Sequence, residues 1–157
     1  MALVLALFTL QLARQSCLAN FEYYADPRNP YVYAHTSGAI TQLENQLEDI
    51  AIVAPEKYDT TVVVISPTGD YWPLPWYLRK FKNVGFFDRL PEEDKSPIYS
   101  APILIVSYEI AAELSKKFDG KYFMARHALR PRVLLYVFIR NDIWDAFIAT
   151  RNDARAP

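Results

Sequence analysis

The protein has 157 residues with a formal net charge of −1, and 52% of its residues are hydrophobic. The length suits a single domain, and the hydrophobic content excludes a chain that is disordered throughout. A net charge near zero argues against a protein that binds nucleic acid through bulk electrostatic attraction, so we expect no nucleic-acid partner. The single cysteine, Cys17, excludes an intramolecular disulfide and a zinc site built from several cysteines.

The N-terminal segment MALVLALFTLQLA is uncharged over thirteen residues. Three interpretations place it at a membrane. A signal peptide has a suitable apolar core and a cleavage site near Cys17, although no basic residue precedes the core. A lipoprotein anchor fits less well, because Arg14 and Gln15 stand where small or apolar residues are expected. A complete span needs about 20 apolar residues, so residues 1–19 would be a span or the remnant of one; a buried soluble helix is the fourth interpretation.

The next segment, YADPRNPYVYAHTS at residues 24–37, is rich in tyrosine and proline. Prolines oppose helix formation and predict an extended, turn-rich chain. Tyrosines are favoured at the interface between membrane and water. We therefore interpret residues 20–36 as a joint that sets how the following domain, residues 37–150, sits on the membrane. The predicted docking groups of this joint are Asp26, Arg28, Tyr31, Tyr33 and His35.

Helical and strand patterns alternate along the predicted domain. Apolar residues at helical spacing predict a helix in residues 38–54, after an N-cap at Thr36 or Ser37. The β-branched run TTVVVIS at 60–66 and the segment PILIVSY at 102–108 are typical of strands buried on both faces of a parallel sheet.

Shorter patterns complete the predicted order. We expect a short helix at 76–81, a strand at 83–87, a surface loop at 88–101, a helix at 109–118 that ends near Gly120, strands at 121–129 and 133–140, a helix at 141–150 and a loose tail at 151–157. The predicted fold is α/β, with a mixed, mostly parallel sheet flanked by helices and preceded by an N-terminal membrane-associated apolar helix. The last two strands are expected to form an antiparallel edge.

The segment GDYWPLPWYLR at residues 69–79 follows the first predicted buried strand. Open α/β sheets bind ligands at the carboxyl ends of their strands, so a site is expected here. Indole faces beside a carboxylate suit a carbohydrate or peptide ligand. The alternative is that the prolines and tryptophans close the open end of the core. The candidate ligand-binding residues are Asp70, Tyr71, Trp72, Trp76 and Arg79.

A basic set follows in the second half of the chain, at Arg126, Arg130, Arg132 and Arg140. If no bulge intervenes, strand alternation places Arg130, Arg132 and Arg140 on one side of their strand. Such a row suits membrane phosphates or an anionic lipid-linked sugar. Salt bridges to the acidic first half of the chain are an equally good interpretation.

Motifs for catalysis are missing from the sequence, which has no GxGxxG, P-loop, GxSxG, HExxH or CxxC pattern. The two histidines, His35 and His127, are 92 positions apart, and no spacing indicates a metal site. We therefore name no catalytic residue, metal or cofactor. A free-standing secreted hydrolase is disfavoured because no nucleophile and base can be paired.

Three segments together resemble a known family: DPRNPYVYAHTS, DYWPLPWYLRKFKNVGFF and LRPRVLLYVFIRNDIWD. They resemble the C-terminal region of the flippase-activity-associated membrane proteins of archaeal N-glycosylation, a family with bacterial members. That family is similar in turn to dolichyl-phosphate-mannose-protein mannosyltransferases and other membrane glycosyltransferases that use lipid-linked sugars. The resemblance covers residues 18–146.

The resemblance implies the last membrane span and the soluble, extracytoplasmic C-terminal domain of such a protein, without its catalytic membrane part. The implied function is an accessory or acceptor-binding domain that is not catalytic alone. Its implied partners are the membrane, a multi-span glycosyltransferase domain, and a lipid-linked sugar or peptide acceptor. The resemblance favours a truncated final span over a signal peptide at the N-terminus. The alternative function is a non-catalytic structural or interaction module that docks on a membrane protein.

Overall fold

The computed structural model describes residues 1–26, 28, 29, 32, 35–92, 96–118 and 120–153, with the backbone alone at residues 152 and 153. The helices are α1 (Ala2–Cys17), α2 (Ala39–Val53), α3 (Leu74–Tyr77), α4 (Tyr108–Phe118) and α5 (Asn141–Asp153). The strands are β1 (Val62–Ile65), β2 (Val84–Phe87), β3 (Ile103–Ser107), β4 (Tyr122–Arg130) and β5 (Val133–Arg140). Short 3₁₀ turns occur at Lys57–Asp59 and Pro97–Ser100.

The five strands form one sheet in the order β2-β1-β3-β5-β4. Strand β1 pairs in parallel with β2 and β3, whereas β5 pairs antiparallel with β3 and β4. The predicted α/β fold with a mixed sheet and an antiparallel edge is therefore confirmed, but "mostly parallel" is wrong, because the two kinds of pairing are equal in number. The tight turn at Pro131 and Arg132 causes this difference: it folds β5 back along β4 and delivers it beside β3.

Helices cover both faces of the sheet. In β1, Val62 and Val64 belong to the core under α2 and α5, while Val63 and Ile65 belong to the core under α4. Because successive side chains point to opposite faces and both faces are covered, the strand reads as a continuous apolar run. This is the physical reason that TTVVVIS is recognisable in the sequence.

The N-terminal helix stands apart from this core. Helix α1 continues through one π-helical turn, Leu18–Glu22, to give a helix from Ala2 to Glu22 with none of its residues buried. It is long and apolar enough to cross a bilayer, a property that a secretory signal helix shares. Its exposed leucines form an apolar surface that is unfavourable in water.

The chain enters the domain at the edge of the sheet where β1, β3 and β4 end. The backbone N–H of Ser37 donates to the carbonyl of Leu129, at 2.8 Å, just before α2 begins. At the other terminus, α5 continues to Asp153, three residues into the segment for which the sequence predicts a tail. Residues 154–157 lie outside the described residues, as do Tyr31 and Tyr33 of the joint.

Candidate functional site

The candidate site lies at the carboxyl edge of the sheet. Strand β2 flanks β1 on one side and β3 flanks it on the other, so the connections diverge between β1 and β3. Such a point of divergence opens a crevice outside the carboxyl ends of the strands. The loop that leaves β1 crosses this edge and leads into α3. Proline and glycine interrupt regular structure here, with Gly69 at φ 71.

The side chains of the tryptophan segment, residues 69–79, fall into a buried set and an exposed set. Leu74 and Leu78 are buried in the core, whereas Trp72 is 61% and Trp76 is 65% exposed. The interpretation in which the tryptophans close the core is therefore wrong, because the leucines take that role. The two indoles are displayed to solvent, and no aromatic ring of the described residues stacks on either of them.

An ion pair ties the tryptophan segment to the end of β4. The guanidinium of Arg130 binds the carboxylate of Asp70, and its Nη1 donates to the carbonyl oxygen of Trp72 at 3.0 Å. The Arg130 side chain is only 21% exposed. This arginine, predicted as a lipid contact, therefore fixes the backbone that presents Trp72.

A second arginine supports Trp76. The guanidinium carbon of Arg79 lies 4.7 Å from the centroid of the Trp76 ring, within the range of a cation–π contact. Its Nη1 donates to the carbonyl of Trp76 at 2.7 Å and to Oε1 of Glu44 at 3.0 Å. Arg79 thus orients the indole instead of offering a free fork of donors to a ligand.

A groove of about 520 Å³ runs beside the tryptophan segment. Its lining includes Ser66, Thr68, Tyr71, Phe86, Phe87 and Asp88. The Tyr71 and Phe86 rings lie 5.0 Å apart, and the Ser66 hydroxyl is buried without a hydrogen-bond partner among the described residues. A hydroxyl, a carboxylate and ring faces suit a ligand rich in hydroxyl groups. Of the five predicted site residues, Tyr71 lines this groove.

The sequence prediction missed Glu109 in the first turn of α4. The neighbouring Ser107 hydroxyl, followed by the backbone N–H of Glu109 itself, holds the pKa of this carboxyl below its usual value, so it is ionised at neutral pH. The sequence marks this edge with two serines: Ser66 directly follows β1, and Ser107 ends β3 just before Glu109.

The basic residues do not form one row. A bulge interrupts β4 between Ala128 and Arg130, Arg132 lies in the turn at φ 67, and Arg140 ends β5 at the opposite edge of the sheet. Because the strand is interrupted, side-chain alternation does not place the three arginines on one side. Arg140 forms a two-bond pair with Asp142, at 2.7 and 2.9 Å, and this pair raises the pKa of Arg140 and lowers that of Asp142.

In the joint, Asp26 and Arg28 form a local unit. The Arg28 guanidinium donates to the Asp26 carboxylate at 2.6 to 3.1 Å, and the Arg28 backbone N–H donates to Oδ1 at 2.9 Å. These bonds lower the pKa of Asp26 from 3.8 to about 2. The pair borders a depression of about 520 Å³ that Leu18 and Tyr23 also line. His35 is exposed.

Within the described ranges, no three His, Cys, Asp or Glu side chains are placed to hold a metal ion. His127 is half-buried in β4, and burial lowers its pKa, so its ring is neutral at pH 7. The candidate site presents exposed indoles beside a groove lined by hydroxyl, carboxylate and aromatic side chains. Comparison with family models, curated proteins and solved structures gives no match to this chain.

Proposed function

We propose that this chain is an accessory or acceptor-binding domain that works outside the cytoplasm with a multi-span, lipid-linked-sugar-dependent glycosyltransferase. The observation that carries the proposal is the outward display of Trp72 and Trp76 at the carboxyl edge of the sheet. Exposed indoles are costly in water and are typical of surfaces that bind a partner or a sugar. The resemblance of the segments around them supports the choice of sugar chemistry.

The N-terminal helix supports a membrane location. Helix Ala2–Glu22 would cross the bilayer once, and the joint would lead from it to the carboxyl edge, where Ser37 bonds to Leu129. This path brings the chain into the domain at the same edge that carries Trp72. A site at this edge would face the membrane, where a lipid-linked sugar or the acceptor of a membrane enzyme would be found.

The roles of the residues follow from their environment. Trp72 and Trp76 would stack on the apolar face of a sugar ring or on an acceptor side chain. Thr68 and Asp88 in the groove would exchange hydrogen bonds with ligand hydroxyls. Arg130 and Arg79 would hold the two indoles in position, since both guanidinium groups are engaged within the chain. The partner would supply the transfer chemistry.

Direct binding tests this proposal. The full chain in phosphatidylcholine nanodiscs would be titrated with mannobiose and with a short peptide that carries an Asn-X-Thr acceptor sequence, while tryptophan fluorescence is recorded. We expect saturable binding of at least one probe, with loss in the Trp72→Ala, Trp76→Ala double variant. The control is Ile52→Ala, because Ile52 is exposed to a similar degree, 67%, but lies on α2. Absence of binding by both probes counts against the acceptor role.

A second function, a non-catalytic module that docks on a membrane protein, is favoured by one observation. Asp70, Arg79 and Arg130 already have partners within the chain, which leaves the indoles as a largely apolar surface. Tryptophans are frequent hot spots of protein interfaces. If this function is correct, cross-linking in native membranes joins the wild-type chain to a membrane protein, and the double variant does not form this product. Neither soluble probe then binds the wild-type chain.

A further inference from the structure

Strand β2 lies at one edge of the sheet, with β1 as its neighbour on the inner side. The backbone N–H of Ser66, directly after β1, donates to the carbonyl of Phe87 at 3.0 Å. Because successive residues of a strand direct their N–H and C=O groups to opposite sides, Val84 and Phe86 direct theirs away from β1. Within the described part of the chain, no hydrogen bond satisfies these outward groups.

The opposite edge of the sheet is protected. A bulge interrupts β4 between Ala128 and Arg130, and the carbonyl of Leu129 accepts the backbone N–H of Ser37. Bulges and covering segments are usual ways in which proteins keep an edge strand from pairing with another chain. Strand β2 contains neither a bulge nor a proline, so its protection is its short length of 4 residues.

A largely apolar depression of about 450 Å³ accompanies the edge of β2. Its apolar lining includes Val63, Phe87, Pro97 and Ile98. The ring of Phe87, which is 39% exposed, lies across Gly85, because a Cβ atom on this glycine would be only 2.7 Å from Cε2 of the ring. A strand added to β2 would direct every second side chain to this face, where an apolar side chain fits beside Phe87.

Two simpler explanations leave part of this edge unexplained. A ring that lies over an edge glycine shields the strand without a partner, but it leaves the outward groups of Val84 and Phe86 unpaired. A second copy of the chain would satisfy them by antiparallel pairing of two β2 strands. That pairing turns the carboxyl edges of the two sheets in opposite directions, which does not suit two chains held by helix Ala2–Glu22 in one membrane.

We infer that the edge of β2 binds an extended segment of another polypeptide as a sixth strand of the sheet. The outward N–H and C=O groups of Val84 and Phe86 would pair with the backbone of that segment, and the depression beside Phe87 would take one of its apolar side chains. Phe87 also borders the groove at the tryptophan segment, so the bound polypeptide would continue towards that groove. Pairing at β2 does not depend on the function proposed for the tryptophan segment.

Peptide binding to the full chain in phosphatidylcholine nanodiscs, followed by fluorescence anisotropy, tests the inference. The probe is fluorescein-labelled Lys-Thr-Val-Gln-Val-Thr-Val-Lys, which alternates valine with polar residues and carries no asparagine acceptor. One N-methylated version has the methyl groups on two valines, and the other has them on the glutamine and a threonine. Because alternate N–H groups of a strand face the same side, one version should bind about tenfold or more weakly, and the other as the unmodified peptide does.

The protein variant that tests the same contact is Val84→Pro. Proline removes an N–H that faces away from β1, so the sheet keeps its own hydrogen bonds while the peptide loses a donor. We expect the peptide to bind about tenfold more weakly to this variant, with its fold confirmed by circular dichroism. The Trp72→Ala, Trp76→Ala variant should bind the peptide as the wild type does, and Val84→Pro should leave the titration with mannobiose unchanged, so the two proposals fail separately.

The N-methylated peptides need only the wild-type chain, so they decide the matter even if Val84→Pro does not fold. Equal affinity of the two N-methylated peptides, or no binding of the unmodified peptide, overturns the pairing at β2. Unchanged peptide binding by a folded Val84→Pro variant does the same. A wild-type chain that sediments as a dimer in detergent, becomes a monomer on Val84→Pro substitution and binds no peptide assigns the edge to a second copy, which also overturns it.

Discussion

Replacement of Arg130 by methionine should loosen the tryptophan segment without removing the bulk of the side chain. Methionine retains an apolar stem and loses the guanidinium, so packing changes little while two contacts are lost. These contacts are the ion pair with Asp70 and the bond from Nη1 to the carbonyl of Trp72. The segment would then be tied to the domain mainly by buried Leu74 and Leu78.

The expected cost in the free energy of unfolding follows from burial. A hydrogen bond to a charged group contributes about 1.5–3 kcal/mol when buried, and an exposed ion pair contributes roughly 1 kcal/mol or less. Arg130 is 21% exposed and Asp70 is 48% exposed, so water can solvate the carboxylate that is left behind. We therefore expect a loss of about 1–2 kcal/mol, which lowers Tm by roughly 4–8 °C in a domain of this size.

Thermal unfolding followed by circular dichroism measures this loss, with Arg132→Met as the matched control. Arg132 lies two residues away, is exposed, and has no ion pair within the described part of the chain. Its replacement should leave Tm within about 1 °C, as is usual for surface positions. A double-mutant cycle with Asp70→Asn should show coupling with Arg130. Equal Tm values for the two arginine variants, or no coupling to Asp70, would show that the contacts of Arg130 do not hold the tryptophan segment.

Three further outcomes are expected. Arg132→Gly should stabilise the protein by roughly 0.5–1 kcal/mol, because Arg132 has a φ of 67 in the turn after Pro131 and glycine adopts that angle without strain. An unchanged midpoint of urea unfolding would contradict the expected stabilisation. The Asp26 carboxyl should titrate near pH 2 in carbon NMR, so its pair with Arg28 is fully present above its unfolded pKa of 3.8 and is lost as pH falls through about 2. Arg28→Gln should raise the midpoint only part of the way to 3.8, because the backbone N–H of residue 28 still donates to Oδ1 of Asp26, and no shift in that variant would contradict the pairing. Leu74→Ala should lower the free energy of unfolding, measured by urea denaturation, by about 2–5 kcal/mol, whereas replacement of the exposed Ile52 by alanine should not. A small effect at Leu74 would show that the tryptophan segment does not pack on the core as described.

Much of the fold was predictable because the local signals are strong. Both central strands are buried on two faces and therefore read as uninterrupted apolar runs, and Gly120 at φ 72 follows α4 where the sequence places its end. The ratio of parallel to antiparallel pairing in the sheet was harder to predict from the sequence. The pairing of β5 depends on where the turn at Pro131 directs this strand. Its position beside β3 results from packing across the whole sheet.

The candidate site was predictable in position but not in its internal contacts. The apolar run of β1 and the loop that follows it were enough to predict where Trp72 and Trp76 lie. The partner of Asp70, in contrast, is 60 residues away on β4. No local pattern encodes such a contact. The same limit applies to Arg140, which meets Lys121 and Tyr122 where α4 and β4 come together at the other edge of the sheet.

In the proposed function, Trp72 and Trp76 serve protein glycosylation at the membrane. The most direct test replaces the natural copy of the protein with the Trp72→Ala, Trp76→Ala variant and measures the glycan occupancy of cell-surface proteins by mass spectrometry. Ile52→Ala is the control, and immunoblotting confirms equal amounts of each protein in the membrane. We predict a clear fall in occupancy with the double variant alone. Unchanged occupancy with a normally folded and abundant variant would show that the two tryptophans have no role in glycosylation.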